Sequence, residues 1–205
     1  MSVSLLIITT TCGISFYALS NPVLFMQMRF HPYSCFHYKQ WHRILTNIFL
    51  HADFIHLMFN MLALYSIGPA VENAFDQVYG GFGRVMFVGF YFSSAVFANI
   101  FNLFKHRSDE TWASVGASGA VSAVMFAFII FYPNTTGFSF FFIPLGKTPA
   151  WVVGLIFLGM STYFAKRGDS RIDHVAHFWG AVYGIVFPIV GNFWIAQRFI
   201  HLVLQ

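Results

Sequence analysis

The sequence predicts an all-α, polytopic membrane protein built on six membrane-crossing helices, and three observations carry that prediction. Of its 205 residues 58% are hydrophobic and only 9% charged, with 28 Phe among them, whereas soluble domains carry about a quarter charged residues. The apolar runs are continuous over lengths near the ~20 residues that a helix needs to cross a bilayer, unlike the short alternating segments of a membrane β-barrel. Gly, Pro and charged residues separate the runs and mark the connections.

The first run, 3–20, ends in Ala18-Leu19-Ser20 and has the look of a signal-peptide core, but no basic residue precedes it, so a retained first helix is expected. Further spans are expected at about 55–72, 84–104, 116–132, 149–165 and 174–195. Between the first two runs lies residues 21–54, with Pro22, Pro32 and Trp41-His42-Arg43, neither apolar enough to span nor polar enough to float free. A long interfacial loop is expected there, and loops of that length are more often functional than idle. The connection 73–83, with Gly80-Gly81 and Gly83, reads as a turn. The connection 132–149 holds Pro133, Pro144, Pro149 and Gly146 and reads as another. With no internal repeat, residues 1–205 are expected to make one membrane domain.

A formal charge of +4 rests on 11 Lys and Arg spread through the connections. Nucleic-acid binding, which needs a basic stripe, is therefore not indicated, and lipid headgroups account for the charge. Cys12 and Cys35 make no disulfide framework. If the N-terminus is cytoplasmic, that side holds Arg84, Lys147 and Arg198, and the opposite side holds the other eight basic residues. The positive-inside bias points to the reverse orientation.

Polar residues inside such runs are functional candidates, because hydrocarbon rejects them unless they are paired or face water. Gly116-Ala117-Ser118-Gly119 opens the fourth span and places Ser118 at a helix N-terminus, where unpaired N–H groups favour developing negative charge. Gly116, Gly119, Ala120, Ala123 and Ala127 equally make a small-residue packing face. In the sixth span Gly180 and Gly184 share the face of His177, so that face can approach another helix closely. A serine and an imidazole on two such faces would meet the requirement for an activated nucleophile. His56 and Asn60 share a face of the second span, with His51 just before it. Their N–H donors suit an oxyanion site, and the rival reading is a metal site from His51, His56 and His174 or His177. Neither His-Glu-x-x-His nor Gly-x-Gly-Asp occurs, so zinc and aspartyl intramembrane proteases are not signalled.

Taken together, the run from His51 to Asn60, then Gly116-Ala117-Ser118-Gly119, then Ala176-His177 with Gly180 and Gly184, in that order, resembles the rhomboid intramembrane serine proteases. Trp41, Arg43, Gly68 and Glu72 add to the resemblance, which covers residues from about 41 to 190. It implies a six-helix rhomboid-like bundle with Ser118 as nucleophile and His177 as general base, a dyad without an acidic third member. It also implies an oxyanion hole lined by His56, Asn60 and the Ser118 backbone N–H, with His51 shaping the same cavity. Asp173, four residues before His177, reads as a helix N-cap. The expected substrates are single-span proteins of the lipid bilayer, cut within their transmembrane segments with no cofactor or metal. Localisation is expected to be integral to a membrane, multi-pass, with the active site facing the extracytoplasmic side. The alternative is a non-proteolytic rhomboid-like protein that binds transmembrane helices, although such relatives generally lack the serine or the histidine.

Overall fold

A computed structural model describes residues 2–137, 139–140, 143–144, 146–167 and 173–205. Helices run over all the expected apolar stretches: α1 (Val3–Leu19), α5 (Phe54–Tyr79), α6 (Gly83–Lys105), α7 (Ser118–Phe131), α8 (Ala150–Arg167) and α9 (His174–Gly191). The long first connection folds into α2 (Pro22–Met28), α3 (Pro32–His37) and α4 (Arg43–Thr46), and α10 (Trp194–Val203) follows α9. Apart from a two-residue antiparallel pairing of β1 (Ser139–Phe140) with β2 (Ile143–Pro144), the described secondary structure is helical. The stretch Phe54–Lys105 and α9 are long and apolar enough to cross a membrane, while Val3–Leu19, Ser118–Phe131 and Ala150–Tyr163 are apolar and shorter.

Local chemistry sets the helix ends. Asn21 and His31 cap α2 and α3, each of which places a proline in its first turn where the missing N–H costs nothing. Asp53 accepts the His56 N–H at the start of α5, and Gly80, at φ +58°, ends that helix in a conformation that favours glycine. The expected turn over residues 73–83 is therefore corrected: only Gly80–Phe82 leaves the α-helical path, as a single 3-10 turn. Glu72 does not terminate α5 but holds the start of α1. Its carboxylate accepts the Ser2 and Ser4 hydroxyls and the Val3 and Ser4 N–H groups at 2.7–3.2 Å, satisfying donors that a helix start leaves open. Pro69 lies inside α5 without ending it. Residues 192–193 interrupt the helix expected to continue to 195, and Asn192 Oδ1 accepts the Trp194 N–H to start α10.

Twelve of the fourteen residues of α7 are buried, so this helix, apolar all round, is the centre about which α5, α6, α8 and α9 pack. Small residues make the closest approaches. A Cβ added at Gly180 would run into the Gly119 carbonyl, and one at Gly184 into the Ala123 carbonyl. The two contacts advance four residues on each helix, so α7 and α9 run parallel, backbone against backbone. Gly119 also meets Ala98 of α6, and Gly68 of α5 meets Ser4 of α1. Small residues let membrane helices approach in this way where burial from water supplies no force between them.

At the end of the molecule where α7 and α9 begin, the connections are stitched together. Phe30 and Ser114 exchange backbone hydrogen bonds at 3.0 Å. His31 Nε2–H donates to the Glu110 carbonyl, and the Gly116 N–H donates to the Asn47 carbonyl. Asn47 donates its side-chain amide to the Arg43 and Ile44 carbonyls. The segment that delivers Ser118 is thus anchored to the long first connection.

Candidate active site

Ser118 is the first residue of α7, one position before the Gly119–Gly180 contact. His177 stands one turn before Gly180 on the parallel α9, so both residues lie at the same end of one helix–helix seam. Side chains on a helix lean toward its N-terminus, which directs the imidazole toward the level of residues 116–119. Among the described residues, the buried His177 Nε2 has no hydrogen-bond partner. No Ser118 Oγ–His177 Nε2 hydrogen bond is therefore formed in this resting geometry, a bond that in catalytic sites often tightens only when substrate is bound.

Gly116 determines what surrounds Ser118. Its φ of +130° favours glycine, and a Cβ there would lie 2.8 Å from His56 Cε1, 3.0 Å from His56 Nε2 and 3.7 Å from Ser118 Oγ. The imidazole of His56 and the hydroxyl of Ser118 thus converge on the space that Gly116 leaves open. His51 is fully buried, its ring edge-on to His56 at 5.0 Å between centroids. Its Nε2 accepts the Ala117 N–H at 3.5 Å, which requires the proton on Nδ1; that N–H donates to Ser15 Oγ at 2.9 Å, and the Ser15 hydroxyl donates to the Phe49 carbonyl at 2.7 Å. His51 is a pillar between α1, the loop and the start of α7. Asn60, one turn below His56, is buried and donates one amide hydrogen to the His56 carbonyl at 2.9 Å, keeping the second available.

Asp173 accepts the Ala176 N–H at 3.0 Å and the Asn102 amide at 2.7–2.8 Å through both carboxylate oxygens. It caps α9 and ties that helix to α6, the N-cap role expected of it. His174 sets its ring edge-on to His177 at 5.7 Å. A cavity of about 10 Å³, room for about one water molecule, is lined by Ser118, Gly116, Asn47, Asn99 and Asp173 among others. Among the described residues no group of three His, Cys, Asp or Glu side chains is placed to hold a metal ion.

The sequence reading missed Ser15, Asn47, Asn99 and Asn102. Ser15 and Asn102 lie far along the chain from the residues they support, and nothing in their local pattern marks them. Asn99 and Asn102 did carry a signal, since an amide in an apolar span requires a partner.

A family model for the Rhomboid domain matches residues 38–192, and the chain belongs to the rhomboid family, whose members are integral to membranes. RHOMBOID-like protein 12, mitochondrial, of Arabidopsis thaliana is 29% identical over 155 residues, covering 68% of this chain and 43% of that protein. Rhomboid protease GluP of Bacillus subtilis is 30% identical over 145 residues, 71% of this chain and 25% of that protein. Rhomboid protein 1, mitochondrial, of Saccharomyces cerevisiae is 28% identical over 148 residues, 70% of this chain and 40% of that protein. The chain spans less than half the length of each of these relatives.

Proposed function

We propose that this protein is an intramembrane serine endopeptidase in which Ser118 and His177 form the catalytic dyad. The observation that carries the reading is the parallel, backbone-to-backbone seam of α7 and α9, which brings the serine and the unpartnered imidazole to the same end of two touching helices. Kinship with a relative named as a protease, GluP, supports it further. The fourteen residues of α7 rise only about 21 Å against a hydrocarbon core of about 30 Å. A helix so short starts its first residue within the bilayer, where a transmembrane substrate lies. Six membrane crossings, α1 and α5 to α9, complete the multi-pass domain over residues 1–205.

In this mechanism the neutral His177 Nε2 takes the Ser118 hydroxyl proton as Oγ attacks a peptide carbonyl in a transmembrane segment of another, single-span protein. The tetrahedral oxyanion is met by the Ser118 N–H at the positive end of α7 and by N–H donors of His56 and the free amide hydrogen of Asn60. Collapse returns the proton from His177 to the leaving amine, and water, deprotonated by the same imidazole, hydrolyses the acyl-enzyme. A helical substrate hides its carbonyls in its own hydrogen bonds, so cut sites are expected where Gly or Pro weakens the helix.

The test is co-expression with a tagged single-span substrate. Ser118→Ala and His177→Ala each reduce cleavage to background while the protein still inserts and purifies. Cleavage by Ser118→Ala at the parent rate contradicts the assignment. Intact substrate that co-purifies equally with parent and variant would instead indicate a helix-binding protein without proteolysis.

A further inference from the structure

Arg43 is the most confined cation in the first connection, only 8% exposed. Its Nε donates to Gln40 Oε1 at 2.6 Å and its Nη1 to the Met26 and Arg29 carbonyls at 2.6 and 3.1 Å, which leaves Nη2 unengaged. All of its partners are neutral. Among the described residues the ion pairs involve Arg84 and His106, and neither Arg43 nor Arg29 meets a carboxylate. Burial lowers the Arg43 pKa from its ordinary value, Cys35 offsets part of that, and the neighbouring Arg29 charge adds a smaller lowering. A buried charge without a counter-ion is costly, and here two cations converge.

They converge on open space. A cavity of about 530 Å³ is lined by Arg29, His31, Ser34 and Arg43 together with Val23, Met26 and Gln27, a size typical of small-molecule sites. His31 is engaged with Ser34 and with the Glu110 carbonyl, so the guanidinium groups are the charged donors that face a ligand there. The planar fork of arginine matches phosphate oxygens. Val23 and Met26, which also line it, are 67% and 50% exposed, so the lining combines charged and apolar surface. Exposed Tyr38 and Trp41 on the same connection have the amphipathic character of residues at headgroup level.

We propose that the cavity between Arg29 and Arg43 binds the phosphate headgroup of a bilayer phospholipid whose acyl chains leave over Val23 and Met26. The site is separate from Ser118 and His177 and is independent of any proteolytic activity. It anchors the long connection to the headgroup layer and supplies the missing counter-charge.

The experiment is native mass spectrometry of the full chain after transfer from phosphatidylcholine vesicles doped with phosphatidic acid, counting retained lipid. The parent protein is expected to keep one phosphatidic acid, and Arg29→Glu to weaken retention about tenfold or more, the loss of one charge-assisted contact with repulsion added. Arg43→Gln is expected to do the same if it folds; Arg29, which makes no side-chain hydrogen bond, keeps the test valid if it does not. Inorganic phosphate and glycerol 3-phosphate should compete poorly, because they lack acyl chains. Unchanged retention by Arg29→Glu overturns the site, and displacement by inorganic phosphate as effective as by phosphatidic acid overturns the lipid assignment.

Discussion

At the scale of single residues, the site is held by side chains whose chemistry leaves little choice of orientation. His51 must carry its proton on Nδ1, because Nε2 receives the Ala117 N–H. Replacing it by alanine strands the Ala117 N–H, while the Ser15 hydroxyl keeps its bond to the Phe49 carbonyl, and a buried unsatisfied group costs about 1–3 kcal/mol. The expected outcome for His51→Ala is a lower unfolding midpoint together with reduced turnover, read by thermal unfolding in detergent and by substrate cleavage. A variant that is as stable as the parent would mean the pillar carries no load. His177 gives a prediction about pH. The proposed base must be neutral, so kcat/KM should be level at neutral pH and fall only where acid protonates the His177 imidazole. Activity that rises as the pH is lowered argues against a neutral His177 as the base.

At the scale of elements, the seam of α7 and α9 decides whether the serine and the imidazole meet. Gly180→Ala or Gly184→Ala puts a methyl group where the Gly119 or Ala123 carbonyl lies, and such overpacking costs about 1–3 kcal/mol. Because the helices must part, activity should fall more steeply than stability. Gly89→Ala and Gly159→Ala, whose Cβ positions are open, should leave both unchanged. Equal tolerance at Gly180 and Gly89 would contradict the close seam. This seam was legible: Gly180 and Gly184 follow His177 at helical spacing, and Gly119 and Ala123 follow Ser118. The pairing of these two faces was expected as well; the other contacts of α7, with α5, α6 and α8, were not legible. The extension of α5 to Tyr79 was hidden for a related reason, since Glu72 looks like the end of an apolar run and turns out to serve the N-terminus of α1. Long-range polar pairs such as Glu72 with Ser4, or Asn102 with Asp173, leave no periodic trace, whereas helical faces do.

For the whole molecule, the connections that gather at the site end carry Arg29, Lys39, Arg43, Lys105 and Arg107, five of the eight basic residues that the sequence sets opposite the N-terminus. Arg43 donates to backbone carbonyls and lines the cavity together with Arg29, so backbone and the proposed lipid phosphate engage these two charges. The architecture itself, a buried central α7 ringed by longer helices, was foreseen as a bundle but not in its arrangement, because nearly uniform apolarity on α7 conceals which neighbour each face meets. The central claim is that one hydroxyl, Ser118, is activated by one imidazole, His177. The most direct measurement is covalent labelling of the purified protein by a fluorophosphonate probe, with the modified residue located by peptide mass spectrometry. The label is expected on Ser118, and it should be lost in His177→Ala but retained in Gly89→Ala. Labelling elsewhere, or labelling of Ser118 that is indifferent to His177, would contradict the account.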